Sequence, residues 1–198
     1  MIIKGHEIEF IEDIHCYLVD GVIVNSVTSL LKKKFGKKYD GISDRVLRNA
    51  SEKGTLMHRA IEMYEKQGVE DDSKELRNYK FLKRLHKFEC IGNEIPLIIF
   101  DGDTPVACGT TDLLLKQDNL IGLGDLKRTA TLDKEYLAYQ LNLYRIGYQQ
   151  CYDAEISFLK GIHLRDDTRK VVDLPINEDM AMQFLREVNK DGKDDLLL

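Results

Sequence analysis

The chain has 198 residues, 43% of them hydrophobic and 32% charged, with no Trp, three Pro and a formal net charge of −5. That length is enough for one good core and short for two, so a single domain over residues 1–198 is predicted. The longest apolar run, around Ile95–Phe100, is far too short to span a bilayer, and the acidic balance argues against a nucleic-acid coat protein while leaving room for an enzyme with a local basic surface.

The chain opens on MIIKGHEIEF, which lacks the long apolar core and small-residue cleavage site of a signal peptide. The expectation is a cytoplasmic protein with no membrane partner. Residues 7–25 alternate apolar and polar around VDG (19–21), as in a hairpin. Ser26 then suits the N-cap of a helix over VTSLLKKKF. KKKFGKK places five lysines within residues 32–38. Such a run is ordinarily a solvated face, and it gains interest only beside a site that needs phosphate. A short helix is predicted near 44–51, then a separate one over 56–67 capped by Thr55, with Leu56, Ala60, Ile61 and Tyr64 as its buried stripe. A more charged helix follows over 73–90.

The texture then changes. EIPLIIF, PVACGTTDLLL and NLIGLGDLK are short, apolar and separated by Asp, Gly and Asn, and read as strands. KEYLAYQLNLYRIGYQQ returns to helical spacing, AEISFLKGIHL and RKVVDLPI read as two further strands, and NEDMAMQFLREVNK reads as a closing helix capped by Asn177. The final DGKDDLLL is expected to fray. The predicted class is α/β or α+β, with helices layered on one mixed central sheet. The cysteines, Cys16, Cys90, Cys108 and Cys151, form no CxxC pair and fit thiols in a reducing compartment better than a zinc or iron–sulfur site.

If Asp118-Asn119 is a two-residue turn, pairing runs outward to set Asp112 against Asp125. Their Cβ atoms would then be roughly 4.5–5.5 Å apart, and like charges so placed repel. Lys127 lies two residues past Asp125, on the same face. Two readings stay open from the residues alone. Asp125 and Lys127 are an ion pair on a solvated face in a different register, or a bound cation relieves the repulsion. Paired carboxylates beside an open position suit Mg²⁺ or Mn²⁺, hard ions that prefer oxygen. His58 and Glu62 in GTLMHRAIEMY stand at i and i+4 on one helical face, and Gln140 and Tyr144 do the same in YQLNLYRIGY.

Together these segments resemble the PD-(D/E)XK nuclease superfamily in its RecB-like and phage-exonuclease branch. GTLMHRAIE (54–62) resembles the family's helical GxxxH-type motif, GTTD (109–112) its G-x-x-D strand, GDLK (124–127) its D-x-K core, and QLNLY (140–144) its Q-x-x-x-Y helix. HCYLVDGVIVNSVTSLL (15–31) also looks like the start of small phage and mitochondrial exonucleases. The resemblance covers roughly residues 15–150 and implies a restriction-endonuclease-like core.

It further implies that His58, Asp112, Asp125 and the main-chain carbonyl of Leu126 bind Mg²⁺ or Mn²⁺, and that Asp112, Asp125, Lys127 and Glu62 serve catalysis. Glu94 matches an acidic position of some members. Gln140, Tyr144, Lys32, Lys33, Lys34, Lys37, Lys38 and Arg128 would contact DNA, with Tyr39 or Tyr144 stacking on single-stranded bases. The four cysteines do not fit the cluster-binding layout of some branches, so no iron–sulfur cluster is expected. The implied function is a metal-dependent deoxyribonuclease, an exonuclease before an endonuclease, acting on single-stranded DNA or DNA ends. Its implied setting is the cytoplasm of a bacterial or phage-infected cell, alongside recombination or replication proteins. The rival readings are a non-catalytic DNA-binding protein of the same fold and an unrelated phosphohydrolase, the latter without a P-loop, GxGxxG, HExxH or GxSxG to support it.

Overall fold

The computed structural model describes residues 1–11, 16–36 and 41–194, with side chains described to residue 189. Four short strands, β1 (Ile2–Ile3), β2 (His6–Ile11), β3 (Cys16–Val19) and β4 (Val22–Val24), form a small antiparallel sheet in sequence order. The expected hairpin is thus part of a four-stranded sheet, with Asp20-Gly21 as the β3–β4 turn. Helix α1 (Val27–Phe35) starts where predicted, the Ser26 hydroxyl accepting from the Ser29 amide at 3.0 Å.

Helix α2 (Asp44–Gln67) is one uninterrupted helix of 24 residues, where two were expected. Gly54 has open space around it, and an interior glycine costs only about 1 kcal/mol relative to Ala, too little to break the ladder. Thr55 is therefore mid-helix, not a cap. The buried stripe is also turned by one position: Met57 and Ile61 are buried, Ala60 and Tyr64 half-buried, and Leu56 is 65% exposed. Helix α3 (Lys74–His86) is capped by the Ser73 hydroxyl on the Leu76 amide and ends at left-handed Lys87.

The main sheet follows: β5 (Glu89–Asp101), β6 (Thr104–Gln117) and β7 (Leu120–Lys127), then α4 (Lys134–Tyr152), β8 (Phe158–Arg165), β9 (Thr168–Leu174) and α5 (Glu178–Asp194). Its order is β5-β6-β7-β8-β9. All neighbours are antiparallel except β7 and β8, which run parallel because α4 crosses between them. The mixed sheet flanked by helices is the α+β class expected. Asn177 caps α5 through the Met180 amide, and that helix runs on to Asp194 past the expected stop, while 195–198 lie outside the described residues. Among the described residues no helix is long and apolar enough to cross a membrane.

Strand alternation sorts the core into two layers. Leu114, Leu123, Leu159 and Leu174 pack with α1, α4 and α5. Leu113, Leu115, Leu126 and Ile162 pack with α2 and α3 on the opposite face. By the same alternation Asp112 shares the face of Leu114, and Asp125 that of Leu123. One buried polar side chain anchors the α4 layer: Asn142 donates to the carbonyls of Ala138 and Pro175 at 2.8 and 2.9 Å and accepts from the Asn177 amide at 2.7 Å. Replacing Asn142 by Ala removes three bonds inside a buried site, so a loss of about 2–3 kcal/mol in urea unfolding is expected.

Candidate metal centre

The turn residues set the site's register. Asp118 is left-handed and the β6–β7 ladder pairs Gln117 with Leu120 through Leu113 with Gly124, the register that sets Asp112 across from Asp125. On the other side β5 pairs Asn93 with Leu113 and Ile95 with Thr111, which sets Glu94 across from Asp112. Three carboxyl-bearing positions thus form one row across three adjacent strands. Glu94 itself is held at φ +50°, a backbone state that costs a non-glycine residue roughly 1–2 kcal/mol. Such strain persists only where the surroundings enforce it.

Helix α2 brings His58 to this row. Its Nδ1 lies 3.6 Å from Asp112 Oδ1 and 3.9 Å from Glu94 Oε1, and its Nε2 is 3.1 Å from the Leu126 carbonyl. One ligating atom from each of His58, Glu94 and Asp112 falls within a 4.8 Å group. The Leu126 amide donates to Asp112 Oδ2 at 2.6 Å, which fixes that carboxylate. Beside the group, the Lys127 ammonium lies 2.6 Å from Asp125 Oδ2. That contact is close but poorly aligned, and Oδ2 has no well-formed hydrogen bond although Asp125 is only 1% exposed.

The electrostatics follow from burial and crowding. Burial opposes charge on His58, but Asp112, Glu94 and Asp125 outweigh it and lift its pKa to about 9. Burial pushes Asp125 up to about 6, with Lys127 opposing and Asp112 reinforcing. Burial works against the Lys127 ammonium as well, yet Asp125 and Asp112 hold its pKa above the ordinary value. Carboxylates with an imidazole suit a hard divalent ion such as Mg²⁺ or Mn²⁺, and His58, Glu94 and Asp112 offer it one ligand atom each within a single 4.8 Å group. His58, Glu94 and Asp112 are the groups placed to hold it; of the other expected ligands, the Leu126 carbonyl faces His58 Nε2, across the ring from the carboxylates, and Asp125 is paired with Lys127.

These residues floor a cleft of about 520 Å³ between the two sheets, which also takes in Gln140 and Tyr144. Gln140 Nε2 donates to the Tyr144 hydroxyl at 3.2 Å, while Gln140 Oε1 is buried without a partner. Tyr144 is only 4% exposed, and burial holds its hydroxyl well above the usual phenol range. Its ring fits because residue 109 is glycine: a Cβ there would come within 2.6 Å of Tyr144 Cε1. The glycine of GTTD and the tyrosine of QLNLY are therefore two halves of one contact.

Other predicted site residues stand apart. Glu62 is ion-paired with Lys66 at 2.6 Å and lines a neighbouring cleft that also takes in His58 and Glu94. Arg128 is held by Glu75 at 2.7 Å and Asp166 at 2.9 Å, away from the cleft floor. Its motif neighbour Lys127 is in the cleft because alternate strand residues face opposite sides. Lys32, Lys33 and Lys34 are exposed in the last turn of α1, whereas Ser26, Val27 and Thr28 at the other end meet the cleft. At 1.5 Å per residue the lysines start roughly 7 Å farther along the axis. Lys34 sits 4.9 Å over the Tyr139 ring. Lys37, Lys38 and Tyr39 lie outside the described residues. Sequence reasoning missed the cleft's opposite wall, where Phe10 and Tyr17 face the site. The apolar alternation over residues 7–25 was the signal for it, read only as a hairpin.

Two outcomes are expected. In the metal-free protein His58 carries a proton at neutral pH and must shed it to ligate. Mn²⁺ affinity should therefore rise with pH from about 6 to about 9, then flatten. Calorimetry in buffers of different ionisation enthalpy should find close to one proton released per ion at pH 7.5. Gly109→Ala should push the Tyr144 ring from its place, seen as a shifted Tyr144 resonance and a loss of about 1–3 kcal/mol in stability.

No protein-family model matches the chain, and no curated protein matches it. Among solved structures it is similar to the crystal structure of SSO0001, with 15% identity and a TM-score of 0.47 over 84% of this chain and 75% of that one.

Proposed function

We propose that the protein is a PD-(D/E)XK-type nuclease, which hydrolyses DNA phosphodiester bonds with Mg²⁺ or Mn²⁺. Its proposed substrates are single strands or DNA ends, cut as an exonuclease in recombination, replication or repair within the cytoplasm. The observation that carries this reading is the approach of His58, Glu94 and Asp112 to within one 4.8 Å group, with Lys127 and Asp125 in contact beside it. A merely structural ion pair does not need three further titratable groups at the same point.

His58, Glu94 and Asp112 would hold a divalent ion, which would supply polarisation of a phosphate and acidification of a bound water. The chain's own residues do the rest. Asp112, fixed by the Leu126 amide, cannot swing away, so the cation-binding geometry is preset. Lys127, kept charged by Asp125, presents a fixed ammonium where negative charge builds on the phosphate oxygens. Gln140 and Tyr144 back that face and are placed to orient the lysine or the strand.

The test is cleavage of single-stranded and duplex DNA labelled at either end, with and without Mn²⁺, beside closed circular substrate. Native protein should release label only with the metal and spare the circle. Lys127→Ala and Asp125→Ala should each lower the rate by about 100-fold or more. Tight DNA binding without cleavage of any substrate would instead make it the non-catalytic relative. Turnover of nucleotides but not of polymers would make it a different phosphohydrolase.

A further inference from the structure

The proposed chemistry uses the floor of the cleft and leaves its opposite wall without a role. That wall is the small sheet. Phe10 on β2 and Tyr17 on β3 are register partners, so their rings leave the same face of the sheet. The ring centroids are 4.9 Å apart and tilted by 48°. Both rings line the same 520 Å³ cleft as Asp112, Asp125 and Lys127. Tyr17 is buried, and its hydroxyl lies 3.3 Å from Thr110 Oγ1, two residues before Asp112 on β6. That contact ties the aromatic pair to the strand that carries the carboxylate. Phe10 remains 43% exposed.

On its other side the His58–Glu94 pair lines a second cleft, of about 640 Å³, with Ser51, Thr55, Arg59 and Gln67. The two clefts share His58 and Glu94, so they meet at the carboxylate row. One arm carries the Phe10 and Tyr17 rings, and the other carries the Arg59 guanidinium beside Glu62 and Lys66. A duplex keeps its base faces stacked inside. Only an unpaired nucleotide offers a flat π-surface and a phosphate to opposite arms of such a groove.

We propose that Phe10, backed by the buried Tyr17 ring, forms a stacking subsite for one unpaired nucleobase, which places the adjoining phosphate at the carboxylate row and makes single strands or frayed ends the substrate. The proposal rests on the nuclease reading for its consequence in cleavage, but the stacking itself does not require cleavage.

The experiment reads binding apart from cleavage. Oligonucleotides carrying 2-aminopurine at successive positions are titrated into the native protein and Phe10→Ala, with Ca²⁺ in place of Mn²⁺. Native protein should quench the probe at one position. Phe10→Ala should bind single strands about 5- to 100-fold more weakly with that quench lost, and Phe10→Trp should retain both. An abasic site at the quenched position should cost native protein the same factor and Phe10→Ala nothing more. Unchanged melting temperature in Phe10→Ala shows that the loss is not one of folding. Native-like binding and quench in Phe10→Ala overturn the subsite, and if Mn²⁺-dependent cleavage persists the nuclease reading stands without it. Phe10-dependent quench with no cleavage under any metal supports the subsite and removes the nuclease. Failure of native protein to bind any single strand overturns the subsite directly.

Discussion

The fold is organised around an electrostatic conflict: Glu94, Asp112 and Asp125 occupy one cross-strand row of an antiparallel sheet. Directly opposed like charges destabilise a strand pair, by amounts similar to the roughly 0.2–1 kcal/mol that favourable pairs contribute. A sheet selected only for stability would not repeat the conflict on two neighbouring ladders. The local responses are all visible. His58 lies within 4 Å of two of the three carboxylates, the Leu126 amide takes Asp112, and Lys127 takes Asp125. Two of these responses come from β7 itself and the third from α2, so the row holds that helix against the sheet as well as disturbing the sheet.

The α4 layer is fitted to the same row. Tyr144 can approach β6 only because Gly109 lacks a Cβ, and the approach brings Gln140 into the cleft one turn away. Asn142, between them in sequence, faces the other way and ties α4 to the segment that leads into α5. One helix thus supplies the cleft with polar groups on one side and is pinned by a buried amide on the other. Rigidity behind the site is what allows poorly satisfied atoms, Asp125 Oδ2 and Gln140 Oε1, to stay within it.

What was legible in the sequence was local. Asp118-Asn119 set the hairpin register, Ser26 and Asn177 marked two helix starts, and alternation in β6 and β7 put Asp112, Asp125 and Lys127 together. What was not legible depended on partners far along the chain. Glu94 faces Asp112 only because a bulge between Ile99 and Phe100 shifts the β5–β6 ladder by one residue on its way from the turn, and no pattern in residues 89–101 announces it. Arg128 adjoins the D-x-K segment, yet Glu75 and Asp166, 53 and 38 residues away, decide its direction. The small sheet reaches the main one through Asn25, Ser26 and Cys108, so the cleft between them has no signature in either stretch alone. The stripe on α2 was misplaced by one residue because Leu56 and Met57 are both apolar, and only the packing partner chooses between them.

Charge balance sharpens the picture of what the site can hold. Without an ion, three carboxylates face one ammonium and one imidazolium, and His58 stays protonated because a net negative charge surrounds it. Binding of a divalent cation there would require His58 to lose that proton, and the three carboxylates would then be balanced by the cation and Lys127 together. The lysine run on α1 adds little here, since Lys32–Lys34 lie at the end of the helix away from the cleft. Positive charge beyond the first ion therefore needs a further anion to accompany it. A phosphodiester brings one negative charge per phosphate, so a second ion and a bound strand should favour each other. Their binding would be coupled in both directions by the same factor, as linkage requires.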